Sequence, residues 1–96
     1  MLRPIASPDA ETLALRALGF LAADSTRIEP FLAATGLGPE TLRAAASEPG
    51  FLVAVLDHLL GNESLLLEFV GNLSLNPEII GQAREILAGP YHGDDA

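Results

Sequence analysis

The sequence predicts an all-α protein, a compact bundle of about six short helices. Along every hydrophobic stretch, apolar residues recur at spacings of three and four, as they do on one face of an amphipathic helix. Each stretch is bounded by proline, glycine or a capping side chain, and none alternates around a hairpin turn. The chain also matches itself at an offset of about 38 residues, which indicates one helical unit used twice.

The internal match brings apolar, capping and helix-starting positions into register. The realigned positions are Leu18 with Leu56, Leu21 with Leu59, Asp24 with Asn62, Phe31 with Phe69, and residues 37–40 with residues 75–78. We expect two pseudo-repeats of three helices, at about residues 8–46 and 48–88, that share one core because each is too small to be stable alone. The alternative is a chance recurrence of helix and cap patterns. The expected domain spans residues 1–88, and residues 89–96 form a flexible acidic tail.

The first helix has a recognisable start. Ser7 precedes Pro8, and a proline at the first helical position loses no backbone hydrogen bond. Apolar residues at helical spacing continue over residues 13–23, which therefore complete this helix. Asp24 or Ser25 caps the second helix, since either side chain accepts a hydrogen bond from a free backbone N–H.

The second helix contains a proline after its first turn. Pro30 removes one backbone hydrogen bond, which predicts a kink or a loose first turn before Phe31. Gly36 ends the helix because glycine adopts the left-handed conformation freely. Residues 38–40, Gly-Pro-Glu, start the third helix, and residues 47–49, Ser-Glu-Pro, start the fourth.

Similar residues start and end the helices of the second half. The fourth helix is apolar around most of its circumference over residues 51–56, which predicts a central buried element. Residues 61–62, Gly-Asn, separate it from the fifth helix. Residues 76–78, Asn-Pro-Glu, start the sixth helix, and residues 89–90, Gly-Pro, end it.

Composition argues against several classes of function. The chain has 13 acidic and 5 basic side chains, no lysine and a formal net charge of -8, so it repels the phosphates of nucleic acids. It has no cysteine, and therefore no disulfide, thiolate zinc site or thiol nucleophile. Carboxylates follow residues 1–6 where a signal peptide would need an apolar stretch, and Asp57, Glu63 and Glu68 interrupt the most apolar region. We therefore expect neither a signal peptide nor a transmembrane span. We expect a cytoplasmic protein that binds neither nucleic acid nor membranes.

The order of leucines, caps and glycines resembles that of a known family. The residues that carry the resemblance are 13–22, 31–37, 42–43, 51–57, 59–60 and Glu63. They resemble a family of short helical proteins from alphaproteobacteria classed as a domain of unknown function. The resemblance covers about residues 10–88 and implies a cytoplasmic helical protein with no assigned activity and no catalytic residues. The chain departs from the family pattern at Pro30 and His58, where a helix-favouring residue and an aromatic or aliphatic residue are expected.

Most of the notable ionisable residues have a structural explanation. Glu40 and Glu78 each follow a proline in the first turn of a helix, where the helix dipole favours an anion. His92 lies near Asp94 and Asp95 in the tail, which we expect to be solvated rather than to hold a metal. We therefore expect no catalytic residue, no bound metal and no cofactor.

His58 falls on the rim of the apolar face of the fourth helix, and its counterpart in the first half is Phe20. A metal site needs several ligands, and only Asn62 lies three or four residues away. We expect a histidine that is simply packed there, and the alternatives are packing that depends on pH and a ligand or catalytic role.

The second and fifth helices differ between the halves. Arg27 and Glu29 of the first half are replaced by Leu65 and Leu67 in the second. At about 100° per residue, Leu67 falls on the charged side of its helix. An exposed apolar patch marks an interface, so we predict that Leu65, Leu67 and His58 bind a second copy or another protein. The alternative is that Leu67 packs under the N-terminal segment or the sixth helix.

These observations favour a small acidic, non-enzymatic protein–protein interaction module. Enzymes need positioned acid, base or nucleophilic groups, and the chain is poor in them. The alternative is a small-molecule carrier or a small enzyme with its site between the two halves, near Glu40, Glu78 or His58.

Overall fold

The computed structural model describes residues 7–46 and 48–89. The helices are α1 (Ser7–Ala22), α2 (Ser25–Thr35), α3 (Pro39–Ala45), α4 (Pro49–Leu60), α5 (Glu63–Leu73) and α6 (Glu78–Ala88). No strand occurs in the described residues, so the prediction of six short helices in an all-α fold is confirmed. His92, Asp94 and Asp95 lie outside those residues, and the flexible tail stays a prediction.

Capping side chains mark the starts of α2 and α5. The Asp24 carboxylate caps α2 by accepting hydrogen bonds from the Thr26 backbone N–H, at 2.9 Å, and from the Thr26 hydroxyl, at 2.8 Å. The Asn62 side-chain oxygen caps α5 by accepting a hydrogen bond from the backbone N–H of Leu65 at 3.2 Å. Each cap satisfies a donor that the first turn of a helix leaves free.

Two residues in the left-handed region end the same two helices. Gly36 follows α2 with φ of 77°, and Ser74 follows α5 with φ of 56°. Glycine adopts this conformation without a steric penalty, whereas serine holds it against one. Pro30 lies inside α2, and the helix continues past it to Thr35, so the lost backbone hydrogen bond does not end it.

The core is built from α1, α4 and α6, each of which packs against the other two. The residues with no exposed surface are Ala10, Ala14, Ala17 and Leu21 from α1, Val55, Leu56 and Leu59 from α4, and Ile80 and Ala83 from α6. The alanines of α1 recur at helical spacing and allow the neighbouring helices to approach closely. The predicted central position of α4 is confirmed, since α4 packs against α1, α5 and α6.

An ion pair closes one side of the core. The Nε of Arg84 on α6 donates a hydrogen bond to Oδ1 of Asp57 on α4 at 2.8 Å. This hydrogen bond and the negative charge of Asp57 raise the pKa of Arg84 above its ordinary value. The pair therefore fixes the charged edge of α6 against α4.

The predicted halves agree in their first two helices. α5 starts and ends 38 residues after α2, and α4 ends 38 residues after α1. α2 packs on α1 as α5 packs on α4. The third helices differ, because α6 packs against both α1 and α4 whereas α3 forms no extensive contact with another helix in the described chain. Internal duplication stays a prediction.

The described molecule measures 36 × 33 × 20 Å, with a Cα radius of gyration of 13.2 Å. Within residues 7–46 and 48–89, no single helix is both long and apolar enough to cross a bilayer. Residues 50–60 and 63–73 reach that length and composition only as a pair bent by 105°.

Candidate functional site

Two ring pairs cross between the halves. The ring of Phe20 on α1 packs against Phe69 on α5, with centroids 5.2 Å apart and planes tilted by 52°. The ring of His58 on α4 packs edge-on against Phe31 on α2, with centroids 5.3 Å apart. Phe20 and His58 are counterparts at the 38-residue offset, as are Phe31 and Phe69. Each pair therefore joins the same two positions with the halves exchanged.

A cleft of about 290 Å³ opens beside His58, between α2 and the α4–α5 corner, and we call it the α2–α5 cleft. Its lining residues are Asp24, Thr26, Arg27, Pro30, His58, Asn62, Leu65 and Glu68. Six of them are counterparts at the 38-residue offset: Asp24 with Asn62, Arg27 with Leu65, and Pro30 with Glu68. The cleft therefore lies between the halves, where the sequence placed the alternative small-molecule site.

Arg27 occupies one wall of the cleft and is fully engaged. Its Nη2 donates a hydrogen bond to Oε2 of Glu68 at 3.0 Å, and its Nη1 donates to the backbone oxygen of Phe20 at 2.9 Å. The guanidinium carbon also lies 4.1 Å from the centre of the Phe20 ring, a cation–π contact. Arg27 therefore holds α2 to α1 and α5.

The two caps occupy the ends of the cleft. Asp24 and Asn62 hold the first turns of α2 and α5, as described above. The hydrogen bonds from the side chain and the backbone of Thr26 lower the pKa of Asp24. The charged carboxylate of Asp24 therefore stabilises the first turn of α2.

His58 is the polar side chain of the cleft that has no such engagement. Its imidazole is half-buried, and neither ring nitrogen forms a hydrogen bond within the described residues. Burial lowers the pKa of His58 below its ordinary value of 6.5, so the neutral ring dominates at neutral pH. A neutral imidazole both donates and accepts a hydrogen bond, and His58 lines the cleft.

The three predicted interface residues lie at different places around the α4–α5 corner, and their role in binding stays a prediction. His58 and Leu65 meet in the α2–α5 cleft. Leu67 follows Leu65 by two positions, so it lies about 200° further around α5. There Leu67 keeps 49% of its surface exposed, in agreement with its predicted place on the charged side of the helix.

A second depression, the α1–α5 groove, lies on the other side of the Phe20–Phe69 pair. It has a volume of about 260 Å³ and is lined by Arg16, Phe20, Phe69, Asn72 and Leu73. The sequence analysis missed it, because the groove requires α1 and α5 to be neighbours. The available signal was the four-residue spacing of Arg16 with Phe20 and of Phe69 with Leu73, which puts each pair on one helix face.

Glu40 and Glu78 lie in the first turns of α3 and α6, as predicted. Both are exposed, and neither lines the cleft or the groove. The backbone N–H of Glu78 donates a hydrogen bond to the side-chain oxygen of Asn76 at 2.9 Å. In the described part of the chain, no group of three or more His, Asp or Glu side chains is placed to hold a metal ion.

Comparison with known proteins assigns a family. Residues 7–90 match the family described as "Protein of unknown function (DUF3572)", and the chain belongs to this family. No curated protein and no solved structure matches the chain. The expected membership of a family of unknown function is confirmed.

Proposed function

We propose that this DUF3572 protein is a non-enzymatic interaction module that binds a partner protein through the α1–α5 groove. The observation that carries the proposal is the groove itself. Its wall contains the Phe20 ring and the half-buried side chain of Leu73, open to solvent beside the buried Phe69. Apolar side chains of a partner are anchored in pockets of this kind, with a polar rim around them.

The charged groups of the neighbouring cleft support the same interpretation. Arg27 and Glu68 hold each other, and Asp24 holds the first turn of α2. Groups that hold helices in place are poorly available for acid–base chemistry. The groove, by contrast, leaves its apolar wall available for contact.

The test is partner capture with matched variants. Leu73→Asp places a carboxylate in the groove, whereas Leu15→Asp places one on an exposed leucine of α1 outside it. We expect the unmodified chain and Leu15→Asp to retain one stoichiometric partner that Leu73→Asp loses. Far-UV circular dichroism of all three chains should show equal helix content. Retention of the same partner by a folded Leu73→Asp chain would contradict the proposal.

A second copy of the chain is the other partner that the sequence predicts. Light scattering of the purified protein measures this directly. If the protein is a dimer and Leu73→Asp converts it to a monomer, the second copy binds in the groove. A dimer that Leu67→Glu converts instead places it on the exposed face of α5, and the groove proposal fails.

A second candidate function is a small-molecule carrier with its site in the α2–α5 cleft. The observation that favours it is the half-buried imidazole of His58, which has no hydrogen-bond partner in the described chain. A compound released by denaturing the purified protein, and missing from a folded His58→Phe chain, would support the carrier. Both candidates keep the expectation of a cytoplasmic alphaproteobacterial protein, which rests on composition and on the resemblance.

A further inference from the structure

We infer that the partner segment entering the α1–α5 groove presents one large apolar side chain with a carboxylate beside it, and that Arg16 binds the carboxylate. The inference rests on the proposed function and adds the chemistry of the partner. It depends on the charge of the groove, on its apolar wall and on its size.

Arg16 differs from the other arginines whose side chains are described. Arg27 is paired with a carboxylate at 3.0 Å and Arg84 with another at 2.8 Å. Arg16 is exposed at the edge of the groove and forms no ion pair or hydrogen bond within the described residues. Among the arginines whose side chains are described, Arg16 is therefore the one without a carboxylate partner, although the chain has 13 acidic and 5 basic side chains.

The other residues that line the groove do not neutralise the charge of Arg16. None of the five residues that line the groove is acidic, although the chain carries a net charge of -8. A cationic partner group would meet Arg16 with nothing in the lining to offset the repulsion. A carboxylate would meet a guanidinium whose parallel N–H groups suit its two oxygens. Charge complementarity at the groove therefore favours an anion.

The apolar wall specifies the other part of the partner. Phe20 and Leu73 offer carbon surface to an aromatic or branched aliphatic side chain. Asn72 stands beside them with an amide that both donates and accepts hydrogen bonds, which suits a peptide backbone. The groove is a small, open depression of about 260 Å³. It therefore fits one anchoring side chain of a protein segment.

Three small probes separate these features. The probes are N-acetyl-L-phenylalanine, which carries the carboxylate, its neutral amide, and phenethylamine, which carries a cation. Each is titrated into the ¹⁵N-labelled protein, and the backbone amides of Arg16, Phe20, Phe69, Asn72 and Leu73 are followed by NMR. We expect the carboxylate probe to bind about fivefold more tightly than the amide at low salt, and this preference to shrink as salt is added.

Two variants assign the effect to residues. Arg16→Gln should bring the carboxylate and amide probes to equal affinity, and Leu73→Asp should weaken both. Equal affinities on the unmodified protein, tighter binding of phenethylamine, or shifts confined to other residues would each overturn the inference.

Partner capture separates failure of the inference from failure of the proposed function. Loss of the partner with both Arg16→Gln and Leu73→Asp supports both statements. If Leu73→Asp loses the partner and Arg16→Gln retains it fully, the proposed interaction module is supported and the inferred carboxylate contact is refuted. If both variants retain the partner fully, the proposed interaction module and the inferred carboxylate contact are both refuted.

Discussion

The Phe20–Phe69 and His58–Phe31 pairs occupy corresponding positions of the two halves but have different surroundings. Both join a first helix of one half to a second helix of the other, with centroid separations of 5.2 and 5.3 Å. Arg27 covers the face of Phe20, whereas His58 faces an open cleft beside Leu65. The same packing position thus carries a hydrocarbon ring in contact with a guanidinium in one half and a polar ring that lines a cleft in the other.

The largest expected effect compares the buried phenylalanines of the two pairs. Phe31→Ala and Phe69→Ala should each lower the free energy of unfolding by about 3–5 kcal/mol, since each removes a fully buried ring. Phe31→Ala should cost more, because Phe31 also packs against Phe51 at 5.7 Å. Urea denaturation followed by circular dichroism measures both. A larger loss for Phe69→Ala would reverse the comparison.

Conservative variants keep this comparison measurable if an alanine chain fails to fold. Phe31→Leu and Phe69→Leu retain most of the apolar volume and should cost about 1 kcal/mol each. The order of the two losses should be the same as for alanine.

A smaller effect should come from making the two pairs alike. His58→Phe gives the second pair the ring of the first and should raise the free energy of unfolding by about 1 kcal/mol, because an apolar ring replaces a half-buried polar one. The open cleft provides room for the larger ring. Equal or lower stability would show that the imidazole contributes more to folding than its contacts indicate.

The pH dependence of stability should change in the same variant. Burial lowers the pKa of His58 in the folded state, so protons bind the unfolded chain first as the pH falls below about 6.5. The unmodified protein should therefore lose stability as the pH falls through about 6.5, and this loss should level off below the folded-state pKa. The charged groups that line the cleft with His58 are Asp24, Arg27 and Glu68, and Glu68 is already paired with Arg27. His58→Phe should remove this loss, and its persistence in the variant would assign it to another group.

The caps of α2 and α5 provide a comparison of similar size. Asn62→Ala should lower the free energy of unfolding by about 1 kcal/mol at any pH, because its amide does not titrate. Asp24→Ala should be the more costly change at neutral pH, since its carboxylate accepts two hydrogen bonds. The pKa of Asp24 is lowered in the folded protein, so its contribution is complete above about pH 4 and is lost as the pH falls through the folded-state value. Thermal melts of both variants at pH 7 and pH 3 test this, and a cost of Asp24→Ala that is as large at pH 3 as at pH 7 would contradict it.

The smallest effect concerns the exposed face of α5. Leu67→Glu, which matches the charge of Glu29 in the first half, should change the free energy of unfolding by less than about 0.5 kcal/mol because Leu67 is 49% exposed. Thermal melts of the variant and the unmodified chain measure this. A loss of several kcal/mol would mean that Leu67 is covered in solution.

Sequence reasoning predicted what depends on neighbouring residues. The starts of α2 and α5 follow from Asp24 and Asn62, whose side chains bond to the next few backbone N–H groups. The end of α2 follows from Gly36, and the first-turn positions of Glu40 and Glu78 follow from the prolines before them. These interactions span a few residues, so a linear pattern reports them.

Sequence reasoning failed where distant segments meet. Arg16 drew no attention because its significance depends on Asn72 and Leu73 of another helix. The different packing of the third helices was missed as well. α3 has seven residues and α6 eleven, so α6 offers the longer apolar face although both begin with similar residues.

The packing of α6 against α1 has a consequence for how the protein is made. A ribosome synthesises α1 first and α6 last among the six helices, so the helix that completes the interior emerges after the other five. Until α6 has been synthesised, the apolar faces of α1 and α4 are available to chaperones and to neighbouring nascent chains. A chain that ends before Glu78 would keep five of the six described helices without a closed interior, and we expect proteases to degrade it.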